Sequence, residues 1–154
     1  MEPNALCHCG VVAFSIHGAP LLHGYCHCTI CQAFNEAPFA DITLFRQRDV
    51  TLPSEELLDY QFYTSPPMVR RGKCKACGKP AVETLSLPLL PKLVIVPTAN
   101  IRDAALVPPP SIHMFYHRRQ AEVQDNVPKY EGYLRSQLAF GRRLIGSLLR
   151  RSGA

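Results

Sequence analysis

The residues of this chain that could do chemistry are its seven cysteines, which fall in three short groups. Cys7 and Cys9 form a C-x-C, and Cys26, Cys28 and Cys31 a C-x-C-x-x-C. Cys74 and Cys77 form a C-x-x-C followed by Gly78. Tight turns of this kind aim sulfurs at one point, as zinc knuckles do. A structural zinc ion takes four ligands in a tetrahedron, commonly four thiolates at about 2.3 Å. Two short pairs distant in sequence, Cys7 and Cys9 with Cys74 and Cys77, supply such a set. Cys26, Cys28 and Cys31 are then left, close enough in sequence to hold a second ion by themselves. A competing partition joins Cys28 and Cys31 to Cys74 and Cys77, leaving Cys7, Cys9 and Cys26. A redox role for one C-x-x-C is a third reading, but nothing around it reads as the strand-to-helix setting of such motifs.

Three protein ligands and a vacant position distinguish a catalytic zinc from a closed one. The ligand type narrows the chemistry. Three thiolates donate much charge, so the ion is a poorer Lewis acid than one held by histidines. Soft thiolate sites suit soft ligands. The expected occupant of the fourth position is a substrate thiol, held deprotonated near neutral pH. Thiol activation is the expected reaction class, not hydrolysis.

Other candidates have plainer explanations. His8 and His27 each lie between two ligand cysteines, where the middle side chain of a C-x-C turn points away. His113 and His117 share one face of a strand, and an ordinary exposed face accounts for both. A substrate carrying carboxylates would call for a nearby cation. Arg70, Arg71, Lys73, Arg46 and Arg48 are the candidates, each of them expected to be solvated surface charge.

The elements that must position the cysteines are short. Fourteen prolines in 154 residues interrupt helices and central strands, so a loop-rich, mainly β domain is expected. Strand-like stretches cover 9–18, 21–25, 37–45, 57–64, 92–98 and 112–119, with one helical turn at 29–35. Pro66-Pro67 reads as a stop, and Pro108-Pro109-Pro110 as a stiff spacer. Residues 1–133 form the zinc-binding domain and 134–154 a basic amphipathic tail. There Leu134, Leu138, Ile145, Leu148 and Leu149 recur at helical spacing beside Arg135, Arg142, Arg143, Arg150 and Arg151. Gly141 and Gly146 weaken that helix by about 1 kcal/mol each, enough to break or fray it. The tail either docks on the domain or a protein partner, or lies on an anionic membrane.

The formal charge is +5. Metal-bound cysteines are thiolates, and seven of them with two Zn²⁺ bring the sum to about +2, most of it in the tail. Nucleic-acid binding is therefore not expected. The first ten residues lack the basic start and apolar run of a signal peptide, which points to the cytoplasm. In a reducing compartment metal binding outranks disulfides.

The series CHCG, YCHCTICQ and KCKACGKP resembles the glutathione-dependent formaldehyde-activating enzyme family, which includes centromere protein V. The similarity extends through APFADITLF, VIVPTANIRD with its Asp103, PPPSIHMFYHRR and DNVPKY, about residues 5–133 in all. The resemblance implies a β-tent fold of several antiparallel sheets cross-linked by zinc. It places the structural zinc on Cys7, Cys9, Cys74 and Cys77 and an exchangeable one on Cys26, Cys28 and Cys31, two ions per chain. It also implies a carbon–sulfur lyase activity, in which glutathione condenses with formaldehyde to S-hydroxymethylglutathione. The chain departs from the family pattern at Lys73, around Asn35-Glu36, and in having no tryptophan. A non-catalytic zinc-stabilised module, acting through its surface or tail, is the alternative from another class.

Overall fold

The computed structural model describes residues 2–63 and 68–152. Ten strands and two α-helices follow one another in this order: β1 (Ala5–Leu6), β2 (Ala13–Ile16), β3 (Leu22–Cys26), α1 (Thr29–Asn35), β4 (Ala40–Arg46), β5 (Val50–Thr51), β6 (Leu58–Gln61), β7 (Val69–Cys74), β8 (Pro80–Leu85), β9 (Leu93–Pro97), β10 (His113–Met114) and α2 (Tyr133–Ser152). The described residues form a small sheet, ordered β1-β2-β5, and a large one, ordered β10-β3-β4-β9-β8-β7-β6. The fold is mainly β with a C-terminal helix. One pairing departs from the all-antiparallel expectation: β10 runs parallel to β3, with Met114 opposite Cys26.

Strands at the centre of the large sheet are buried on both faces, so β9 is a continuous apolar run and β4 is buried at every position but Asp41. Alternation then sorts their side chains into two cores. Ile42, Leu44, Leu85, Leu93 and Ile95 face α2 together with Cys26 and Cys31. Phe45, Val82, Val94 and Val96 face the small sheet together with Cys7 and Cys74. The three-cysteine and four-cysteine groups therefore lie on opposite sides of one sheet.

Several strands are shorter than expected. The stretch 9–18 contributes only β2, because Cys7 to Gly10 form a turn. The stretch 112–119 contributes the two residues of β10 and then a 3-10 turn at Tyr116–Arg118. The turn expected at 29–35 is α1, and 57–64 contains β6. Thr64 and the Pro66-Pro67 stop lie outside the described residues.

The tail is a continuous helix through Gly141 and Gly146, not a broken one. Of the five apolar residues that recur at helical spacing, only Leu148 lies on the docked face. Ser136, Ala139, Leu144, Ser147 and Leu148 are buried, whereas Leu134, Leu138, Ile145 and Leu149 are exposed. Small residues let the helix approach closely, and specific hydrogen bonds fix it. The Ser136 hydroxyl accepts from the backbone N–H of Phe115 at 2.8 Å. Arg46, buried rather than solvated, donates from Nη2 to the Leu148 carbonyl at 3.0 Å. Among the described residues no helix is long and apolar enough to cross a membrane.

Candidate metal centres

Two left-handed glycines shape the first centre. Gly10 follows Cys9 at φ 84° and Gly78 follows Cys77 at φ 72°, conformations that a side chain would strain. Each closes a turn by donating its N–H to a cysteine carbonyl, Gly10 to Cys7 at 3.0 Å and Gly78 to Cys74 at 2.8 Å. The turns bring the Sγ atoms of Cys7, Cys9, Cys74 and Cys77 within 4.8 Å of one another. Cys7 and Cys9 sulfurs are 3.6 Å apart, and those of Cys9 and Cys74 3.7 Å. Four sulfurs about 2.3 Å from a central ion stand about 3.8 Å apart in a tetrahedron. The cage has the right size for zinc.

The second centre is built at the end of β3 and the start of α1, so Cys28 and Cys31 do lie between a strand and a helix, contrary to the sequence expectation. Cys28 is the N-cap of α1, its sulfur accepting from the Cys31 N–H at 3.3 Å. That turn gathers the sulfurs of Cys26, Cys28 and Cys31 into a second group within 4.8 Å. The seven sulfurs group as four and three, and not as Cys28 and Cys31 with Cys74 and Cys77. All seven cysteines are free thiols. Hydrogen bonds from Cys26 and Cys31 hold Cys28 strongly toward its thiolate, and the same sharing pushes Cys26 up to about 12. A soft divalent cation suits both donor sets, zinc foremost.

Arg71 and Glu83 belong to this centre, and only Arg71 was a sequence candidate. They face each other across β7 and β8. Arg71 Nη1 donates to Glu83 Oε1 at 2.5 Å and points at Cys31 Sγ from 3.8 Å. Glu83 is buried and Arg71 partly buried, its side chain 13% exposed, so Arg71 is not solvated surface charge. Burial pushes the Glu83 carboxyl up to about 7 against the pull of Arg71. The available signal was a single acid in the otherwise uncharged strand Pro80–Leu85, which needs a partner if buried.

The remaining candidates lie elsewhere. Arg70 stacks over the Tyr60 ring at 4.0 Å. Lys73 has its Nζ 5.5 Å from the Phe34 ring centre. Arg48 and His8 are exposed. Asp103 caps a short turn by accepting from the Ala105 N–H at 3.0 Å. His117 is exposed and accepts from the Gly132 N–H at 2.7 Å.

His113, by contrast, is fully buried, so no shared exposed face explains it. Its Nδ1 lies 2.8 Å from His27 Nε2 and its Nε2 2.9 Å from Asp125 Oδ2. With ionised Asp125 accepting from His113, the hydrogen-bond directions assign the tautomers. His113 Nδ1 accepts from His27, and His27 Nδ1 is an acceptor with no partner among the described residues. Burial, with His113 nearby, drives His27 down to about 4, so it is neutral at ordinary pH. The side chain does turn away from the sulfurs, but into the interior. Gln32 adds a tie, donating from Nε2 to the His27 carbonyl at 2.6 Å.

Hydrogen bonds from Lys129 and His113 hold Asp125 down to about 2, from an ordinary 3.8. A depressed carboxylate pKa contributes stability that is present above the ordinary value and lost as pH falls through the depressed one. Unfolding free energy is therefore expected to drop between about pH 4 and pH 2. Asp125→Asn should be less stable than wild type at pH 7, by a margin that shrinks as the pH falls below about 4. Denaturant titrations at a series of pH values check this.

The cysteine centre opens on a cavity of ≈ 550 Å³ between the large sheet and α2. Cys26, Cys28 and Cys31 lie at its wall beside Arg71 and Glu83. A family model described as glutathione-dependent formaldehyde-activating enzyme matches residues 2–118 of the chain. A crystal structure of a Rhodobacter sphaeroides protein has a similar fold, with a TM-score of 0.51 and 17% identity. That match covers 82% of this chain and 98% of the other. No curated protein matches the chain.

Proposed function

Since the chain belongs to the glutathione-dependent formaldehyde-activating enzyme family, we propose that it is a zinc-dependent carbon–sulfur lyase that adds a small thiol to a small aldehyde. Glutathione and formaldehyde are the substrates that membership suggests. The observation that carries this reading is a group of three sulfurs at a cavity wall, beside a separate and complete group of four.

Cys7, Cys9, Cys74 and Cys77 would hold one zinc ion and Cys26, Cys28 and Cys31 the other. An ion on three thiolates supplies a vacant coordination position that favours the deprotonated form of an incoming thiol. The protein's own groups do the rest. Three thiolates and one Zn²⁺ sum to one negative charge, and a substrate thiolate adds a second. Arg71, fixed by Glu83, offsets that charge from beside Cys31. The apolar cavity walls exclude water, which strengthens this attraction. In the reaction the thiolate sulfur forms a bond to the aldehyde carbon and the C=O π bond breaks. The proton lost by the thiol ends on the new hydroxyl, giving a thiohemiacetal with no change of oxidation state. The reverse step releases both substrates.

Zinc-edge X-ray absorption before and after adding glutathione tests the reading. Sulfur coordination per zinc is expected to rise. If neither glutathione nor a small thiol such as 2-mercaptoethanol changes the spectrum with both ions bound, the thiol-substrate idea fails. The non-catalytic alternative has one observation in its favour, the outward row of Leu134, Leu138, Ile145 and Leu149. Removing α2 does not separate the two readings, because α2 also lines the cavity.

A further inference from the structure

The lining of the cavity at the three-cysteine group is at odds with a peptide thiol. Its volume of ≈ 550 Å³ falls in the roughly 300–1,000 Å³ range of small-molecule sites. Its depth is made by side chains such as Ile42, Leu44, Leu85 and Ile95 from the sheet and Phe140 and Leu144 from α2. Among the described lining residues two are charged, Arg71 and Glu83, and they are paired to each other. Glutathione carries two carboxylates and an ammonium group. Entering here, it would bury those charges with one cation already engaged, and unpaired buried charge is costly.

Part of the wall is supplied by α2. Phe140, Gly141, Leu144 and Ile145 lie beyond residue 118, where the family match ends. The family's substrate therefore does not specify what fits beneath the helix. We propose that the thiol taken at Cys26, Cys28 and Cys31 is one with an apolar body, an alkyl or aryl group lodged between the large sheet and α2, in preference to glutathione. This rests on the reading that the group binds a thiol at all.

The test is calorimetric titration of the two-zinc protein with three thiols: benzyl mercaptan, 2-mercaptoethanol and glutathione. Burying the benzyl group should make benzyl mercaptan bind about ten-fold or more tighter than either of the others. Gly141→Met supplies a second arm. A Cβ at Gly141 meets no atom within 4 Å, and methionine is the better helix former, so the fold is kept while the cavity mouth fills. Benzyl mercaptan should then lose most of its advantage, with 2-mercaptoethanol binding unchanged. Glutathione binding as tightly as benzyl mercaptan, or better, overturns the apolar preference and leaves the thiol reading standing. An advantage untouched by Gly141→Met overturns the placement beneath α2. If no thiol binds while both ions are present, this inference and the proposed function fail together.

Discussion

Cys28→Ser is expected to lower the metal content from about two zinc ions per chain to about one, with the fold retained. A serine hydroxyl is a poor substitute for a thiolate as a zinc ligand, and two sulfurs are left at that centre. The fold survives for two local reasons. Serine is among the best N-cap residues, so position 28 keeps its role at the start of α1, where its side chain accepts from Cys31. The surrounding core of Leu22, Ile42, Leu44, Ile112 and Leu144 is apolar and does not depend on the ion. Metal analysis and circular dichroism on the same sample check both halves. The melting temperature should move by a few degrees, as about 1 kcal/mol does in a domain of this size.

Cys74→Ser should behave in the opposite way, losing the fold together with its metal. Cys7 and Cys74 are 0% and 1% exposed, and their turns join the small sheet to β7 and β8. Structural zinc sites contribute about 10–16 kcal/mol of binding free energy in zinc-finger peptides, against a domain stability of about 5–15 kcal/mol. Removing one of four ligands forfeits much of the first figure. A loss of about 5 kcal/mol or more is expected, a fall in melting temperature of more than about 10 °C. Thermal unfolding with and without added zinc measures it. If Cys74→Ser melts like Cys28→Ser, the two centres do not differ in the way proposed.

The sulfur groups were legible in the sequence because each short run of cysteines is local, and the tetrahedral count of four joins the two distant pairs. A C-x-C or C-x-x-C turn is set by three or four residues, and it forms whatever the rest of the chain does. What remained hidden depends on register and on packing between distant segments. Arg71 meets Glu83 because β7 and β8 pair in one register, and no spacing rule relates positions 71 and 83. His113 is buried because β10 inserts beside β3 and the loop carrying Asp125 covers it. The histidine spacing, His113 to His117, pointed only to a shared face. In α2 the helical period was real, but of its five residues only Leu148 is on the docked face, which also carries Ser136, Ala139, Leu144 and Ser147. Close approach and buried hydrogen bonds outweighed side-chain size there. The cavity was invisible for the same reason, since it exists only where that face leaves the sheet uncovered.

The central claim is that three sulfurs hold a metal ion whose fourth position faces the cavity. Anomalous diffraction at the zinc edge from crystals of the metal-loaded protein tests it most directly. Two peaks are expected, one enclosed by Cys7, Cys9, Cys74 and Cys77. The other should touch Cys26, Cys28 and Cys31, its fourth ligand a solvent molecule or an added thiol on the cavity side. A second ion capped by a fourth protein side chain, or a disulfide among those three cysteines, would contradict the account.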